Sequence, residues 1–275
     1  MAGLPIPGCR VTVEQLLAGI RDGNYHAGGI RCLRLLRVAP DWFTALRAEV
    51  ASLCRDGQPS DVTASDHVTH WTRPRGEVVQ YSLLNRSGRF DDTSADHDLS
   101  CADKRFHHAD WLPALGALAA ALPHAINLRV NVLGPQARLS PHEEHSIVRL
   151  HTGAIGARVR FHLPVETSPL AELVLDGEVH ALTAGTVHFV NHGCVHAARN
   201  GGAERRVHLV WDQLLTREAH AFLFGDAPLP AWLVRVPEAD RTPAPLRTER
   251  MGAHVALPPP VSREDADRIA LCLPQ

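Results

Sequence analysis

The sequence predicts a mainly β protein with N-terminal helices, its core a sandwich or barrel of short strands. Three observations predict it. From about residue 125 to 215, apolar and polar residues alternate in short runs, the period of a strand with one buried face. Turn signals separate those runs, Asp176-Gly177 the strongest of them. The two stretches with apolar residues at helical spacing and a glycine at the end both precede residue 60.

In chain order, TVEQLLAGIRDG (12–23) and APDWFTALRAEVASLCRDG (39–57) are the expected helices, the second with Asp41 as N-cap and Gly57 as stop. GEVVQYSLLN (76–85) has the β-branched and aromatic content of a strand. The polar residues 86–104 predict a surface loop, and DWLPALGALAAAL (110–122) a helix. AINLRVNVLG (125–134) opens the strand-rich core and puts Asn127, Arg129 and Asn131 on one face, a polar-substrate surface or an exposed edge. ARVRFHLPVET (157–167) does the same with Arg158, Arg160 and His162, either a solvated outer face or an interior built for an anion. The hairpin AELVLDGEVHAL (171–182) and the strands GTVHFVN (185–191) and RRVHLVWD (205–212) complete it. TREAHAFLFG after residue 215 predicts a helix, and the Pro-rich remainder extended chain. The expected division is 1–124 as a helical and loop region on the core, 125–215 as the core, and 216–275 as a helix and Pro-rich extension.

Composition narrows the function classes. The net charge is −2 and no basic stripe occurs, so a nucleic-acid partner has no electrostatic support. No apolar run approaches the ~20 residues that span a bilayer, and the first twenty residues lack a signal-peptide core. The six cysteines (9, 32, 54, 101, 194, 272) form no CxxC pair, which fits a reducing cytoplasm better than a disulfide framework. A small-molecule partner in the cytoplasm is the expectation; the oligomeric state is left open.

Chemistry concentrates in SPHEEHS (140–146). His142 and Glu144 form H-x-E, and alternate residues of an extended segment point the same way. His196 in GCVHAARNGG lies 54 positions on, and Arg206 follows ten later. Two histidines and a carboxylate on one face of an octahedron hold non-haem iron(II) and leave positions open. An arginine fork suits a co-substrate carboxylate.

These residues resemble the aspartyl/asparaginyl β-hydroxylase-like family of Fe(II)- and 2-oxoglutarate-dependent oxygenases, bacterial members especially. The resemblance runs from about 125 to 215 through PHEE (141–144), RFHLPVET (160–167), LDGEVHALTAGTVHFV (175–190), HAARNGG (196–202) and RVHLVWD (206–212). It implies a double-stranded β-helix (jelly-roll, cupin-like) core. It implies His142, Glu144 and His196 as ligands of Fe(II), with 2-oxoglutarate and O2 as co-substrates. Arg206 would take the distal carboxylate of 2-oxoglutarate, with Arg160 and His162 as further members of that pocket. Glu144 departs from the Asp of many relatives, and some have no carboxylate there. The implied activity is hydroxylation of an amino-acid side chain, Asp/Asn-type β-hydroxylation favoured, on a free, carrier-bound or peptidyl substrate. Alternatives are a hydroxylase of proline or another amino acid, and a non-catalytic metal- or 2-oxoglutarate-binding cupin-like module.

Neighbouring residues have blander expectations. Glu143 and His145 are outward-facing neighbours of the pair, and His151 a loop residue. His188, His192 and His208 are structural histidines, and Cys194 is not a ligand. Asn200 with Gly201-Gly202 forms the turn into the Arg206 strand. Trp71, Arg73 and Tyr81 are candidates for a substrate pocket, with packing the alternative for Trp71 and Tyr81.

Overall fold

The computed structural model describes residues 30–62, 73–101 and 103–254; the helix expected over 12–23 and Trp71 lie outside them. The strands are β1 (Cys32–Val38), β2 (Ser60–Asp61), β3 (Val78–Ser82), β4 (Leu84–Asn85), β5 (Arg105–Phe106), β6 (Ala125–Leu133), β7 (Arg138–His142), β8 (Ile147–Arg149), β9 (Ile155–Glu166), β10 (Ala171–Leu175), β11 (Glu178–Ala181), β12 (Thr186–Val190), β13 (His196–Asn200), β14 (Arg206–Leu214), β15 (Leu233–Arg235) and β16 (Arg247–Thr248). The helices are α1 (Pro40–Asp56), α2 (Pro113–Ala121) and α3 (Arg217–Leu223).

Two antiparallel sheets make a jelly roll. The larger runs β15-β1-β12-β9-β14-β6-β3-β2, with β8 on β9; the smaller runs β16-β11-β10-β13-β7. Alternation along the strands explains how they pack. Val159, Phe161 and Leu163 of β9, Leu128, Val130 and Val132 of β6, and Val207, Leu209 and Trp211 of β14 point to one side. There they form a core with Leu46, Val50 and Leu53 of α1 and Leu115 and Leu118 of α2. The opposite side faces the smaller sheet: Cys32, Val78, Leu133 and Val190 pack with Leu173, Leu175 and Ala198. The β10–β11 turn puts Asp176 and Gly177 at φ 49° and 83°, the paired left-handed backbone of a two-residue hairpin.

Several elements differ from expectation. Helix α1 starts at Pro40 after an Ala39 N-cap, with Asp41 inside the first turn; proline is pre-shaped for the first helical position. Its Glu49 accepts the backbone N–H of Ala114 and Leu115 at 2.8 and 2.9 Å, so α1 supplies the N-terminal cap that α2 lacks. Strand β1 was not expected: its pairing with β12 shifts register between Arg34 and Leu36, and that irregularity gives CLRLLRV a helix-like period of about three. Residues 86–104 are only partly surface. Asp96 is buried, and Lys104 donates to the carbonyls of Asp98 and Ile126 at 2.5 and 2.6 Å. The Pro-rich segment joins both sheets: β15 pairs with β1 and β16 with β11, while Trp232 stacks on Trp42 at 3.9 Å.

Candidate active site

A cavity of about 380 Å³ lies between the sheets. One wall is the second face of β6, β9 and β14: Arg129, Asn131, Arg158, Arg160, His162 and Arg206 line it. The cationic face of β9 therefore points inward, with Arg158, Arg160 and His162 each less than 9% exposed. Burying such groups is costly unless they meet partners or a ligand.

His142 ends β7 and His196 begins β13, and the two residues face each other across the β7–β13 pairing. One ligand atom each from His142, Glu144 and His196 lies within 4.8 Å of the others. Hydrogen bonding sets the histidine tautomers. His142 Nδ1 lies 2.7 Å from the Ser140 carbonyl and His196 Nδ1 2.9 Å from the Cys194 carbonyl. A carbonyl only accepts, so each Nδ1 carries the proton and each Nε2 presents its lone pair. Burial holds both rings neutral, His196 depressed to about 3 and His142 lowered in the same direction. Neutral imidazoles oriented through the other ring nitrogen are what a divalent metal requires. Glu144 Oε1 lies 3.9 Å from His196 Nε2. Despite its burial, Glu144 stays ionised, well below the usual carboxylate range, because Arg160 and Arg158 stand beside it.

The arginines differ sharply in how they are satisfied. Arg160 is fully engaged: Nη1 and Nη2 grip Glu144, while Nε and Nη2 donate to Asp212 at 2.7 and 2.9 Å. Arg158 donates to Glu144 at 3.2 Å and to the His145 carbonyl at 2.9 Å. Arg129 has only distant acids, Asp212 at 3.6 Å and Asp96 at 3.9 Å, and its buried Nε has no hydrogen-bond partner. Among the described residues no carboxylate pairs with Arg206; its Nη2 donates to His208 Nδ1 at 2.6 Å. Burial alone pulls the Arg206 guanidinium down to about 9.

Other expected site residues fall elsewhere. Tyr81 packs in the helix-side core and donates to the Cys54 carbonyl at 3.3 Å, while Val78, Val79 and Gln80 of the same strand line the cavity. Arg73 is exposed and is not a lining residue. Asn127 is fully buried beside Asp212, donating to its carboxylate at 3.0 Å and accepting its backbone N–H at 3.0 Å. β6 lies inside the sheet between β14 and β3, so this face is no exposed edge. Glu143 and His145 do not face outward: both line the cavity, since the chain leaves strand geometry after His142. His192 lines it too, with neither ring nitrogen hydrogen-bonded. Cys194 is a buried thiol pushed up to about 12 that donates to the Asn191 carbonyl. His188 accepts the Thr183 N–H at 3.2 Å, a structural role. Asn200 ties the turn down through the carbonyls of Leu133, Gly134 and Glu204. Sequence reasoning gave no role to Asp96 or Asp212; the final Asp of RVHLVWD was a signal for the second, and nothing local marked the first.

Comparison with known proteins adds a likeness to one family. The described likenesses to solved structures include a prolyl-4-hydroxylase from Pseudomonas putida: 17% identity over 72% of this chain and 98% of that one, TM-score 0.39. An oxidoreductase of the 2OG-Fe(II) oxygenase family from Burkholderia pseudomallei is 14% identical over 60% and 77%, TM-score 0.35. SnoN, a non-heme alpha ketoglutarate dependent epimerase from nogalamycin biosynthesis, is 15% identical over 86% and 93%, TM-score 0.41. These overlaps are too loose to add to what the two sheets already show. No curated protein matches the chain. Residues 102–214 match the aspartyl/asparaginyl beta-hydroxylase family, the segment that carries β6 to β14, both histidines, Glu144 and Arg206. Through that segment, less than half of the chain, the protein is similar to the aspartyl/asparaginyl beta-hydroxylase family.

Proposed function

We propose that the chain hydroxylates the side chain of an acidic amino acid, free, peptidyl or carrier-bound, with Fe(II) held by His142, Glu144 and His196. 2-Oxoglutarate and O2 are the co-substrates. The observation that carries this reading is the convergence of two Nε2 lone pairs, each fixed by an Nδ1–H to a backbone carbonyl, on one carboxylate. When bound, iron and 2-oxoglutarate supply the oxidation that inserts one oxygen atom of O2 into a C–H bond and leaves succinate and CO2.

The residues of the chain do the rest by binding and orientation. Arg206 anchors the distal carboxylate of 2-oxoglutarate, the anion its buried charge lacks. His162 stays neutral beside it, held well below its ordinary value by burial and then by Arg206. Its Nδ1 lies 3.4 Å from His208 Nδ1, whose single lone pair is already taken by the Arg206 N–H at 2.6 Å. Arg160 holds Glu144 in place. Arg129, a guanidinium on the cavity wall with no hydrogen bond on Nε and no acid within 3.5 Å, receives the substrate's side-chain carboxylate. That supports an aspartyl over an asparaginyl side chain, since an amide leaves the buried charge unmet.

Two outcomes are expected. His142→Ala and His196→Ala should each abolish stoichiometric Fe(II) binding in an anaerobic titration; stoichiometric iron retained in both would refute the ligand set. Arg129→Ala should cut kcat/KM for an aspartyl substrate by about 100-fold, as expected for a lost charge-assisted hydrogen bond. It should change an asparaginyl analogue by less than about 5-fold, measured as succinate release. Equal losses on both would assign Arg129 a structural role.

A further inference from the structure

A carboxylate that serves a metal is ordinarily left free or given a neutral hydrogen-bond donor that orients it. Glu144 is instead gripped by two guanidiniums: both oxygens accept from Arg160, and Oε2 accepts from Arg158 as well. Arg160 is pinned from behind by the bidentate contact to Asp212, so it stays beside Glu144. Arg158 is held less firmly. Its nearest approach to Asp212 is 3.9 Å, and its buried Nε has no hydrogen-bond partner.

Such contacts act on a metal in one direction. Charge-assisted hydrogen bonds stabilise the metal-free carboxylate and draw down the electron density it offers a cation. Two buried positive charges on the ligand also repel an incoming divalent ion at low effective dielectric. We propose that Arg158 and Arg160 compete with the metal for Glu144, so that the chain holds its divalent metal weakly by design, and that neutralising Arg158 tightens metal binding. Once the metal draws on Glu144, Arg158 loses its main acid and is left as a cation on the cavity wall, open to an anionic ligand. Metal and anion binding are thereby coupled, and by linkage each strengthens the other. This inference rests on the metal reading above.

The test uses Mn(II), which is redox-inert under these conditions, with free Mn(II) read by its EPR signal during titration of the purified protein. Arg158→Gln and the volume-matched Arg158→Met should each bind Mn(II) about tenfold tighter than the wild type, the effect of roughly 1.4 kcal/mol. Arg158→Lys, which keeps the charge, should stay within about twofold of the wild type. Each variant is scored only with a wild-type thermal transition, and Gln and Met are both made so that misfolding of one leaves the other. Unchanged or weaker Mn(II) binding in the neutral variants, with normal binding by the wild type, would overturn the inference alone. Absence of Mn(II) binding by the wild type with and without 2-oxoglutarate would instead sink the metal reading beneath it.

Discussion

Lowering the pH from 7 to 5 is expected to strip about 4 kcal/mol of stability from the metal-free protein. Burial depresses His188 and His196 to about 3. The unfolded chain titrates near 6.5. Between those values the unfolded state binds the proton and the folded state does not, so stability is present above about 6.5 and lost as pH falls toward 3. Each ring thus costs about 2 kcal/mol by pH 5. His142, His162, His180, His192 and His208 are shifted the same way, all by burial first, and steepen the fall. A typical domain has only about 5–15 kcal/mol in total, so unfolding on acidification should begin well above the carboxylate range. Glu144 and Asp212, both well below their ordinary values, contribute stability that persists until far lower pH. Urea unfolding of the metal-free protein at pH 7, 6 and 5 measures this. His188→Gln, remote from the triad, should flatten the slope between pH 7 and 5 by about 1 kcal/mol per pH unit. A stability independent of pH from 7 to 5 would show that the rings take up protons in the fold as readily as in the unfolded chain.

Arg206 is expected to show the opposite balance of function and stability. Replacement by Met should weaken 2-oxoglutarate binding by about 100-fold, the loss of a buried charge-assisted pair, read as disappearance of the visible charge-transfer band in an anaerobic titration. The metal-free protein should nevertheless melt no lower than the wild type. Arg206 is a buried cation with no acid partner among the described residues, a strain removed with the charge. The substitution also takes away the N–H that His208 accepts, which costs about 1 kcal/mol and keeps the net gain small. A marked drop in melting temperature with 2-oxoglutarate binding intact would make Arg206 a structural residue and leave the co-substrate without its anchor.

Two residues show what sequence reading offers and where it stops. Arg206 was legible as a candidate because an arginine ten positions after His196, opening an alternating strand, suits a co-substrate carboxylate; among the described residues no carboxylate pairs with it. Tyr81 was not legible. Its strand was recognised, but period-two alternation names two faces without saying which one meets the helices. The same ambiguity hid the inward turn of Arg158 and Arg160, which depends on β6, β9 and β14 lying side by side although their residues are separated by up to 89 positions in the chain.

By itself the sequence determined the local rules: where strands alternate, where Asp176-Gly177 must turn, and that His142, Glu144, His196 and Arg206 are the chemically capable residues in family order. Only the tertiary structure decided what those rules add up to. It brought His142 and His196 together across β7 and β13 and fixed their tautomers with carbonyls two residues back in the chain. It clamped Glu144 between Arg158 and Arg160, with Asp212 behind, and left Arg129 and Arg206 short of acids. The reason is electrostatic: charge inside a protein is governed by which groups meet within a few ångströms, and those meetings are made by long-range strand pairing that no local pattern encodes.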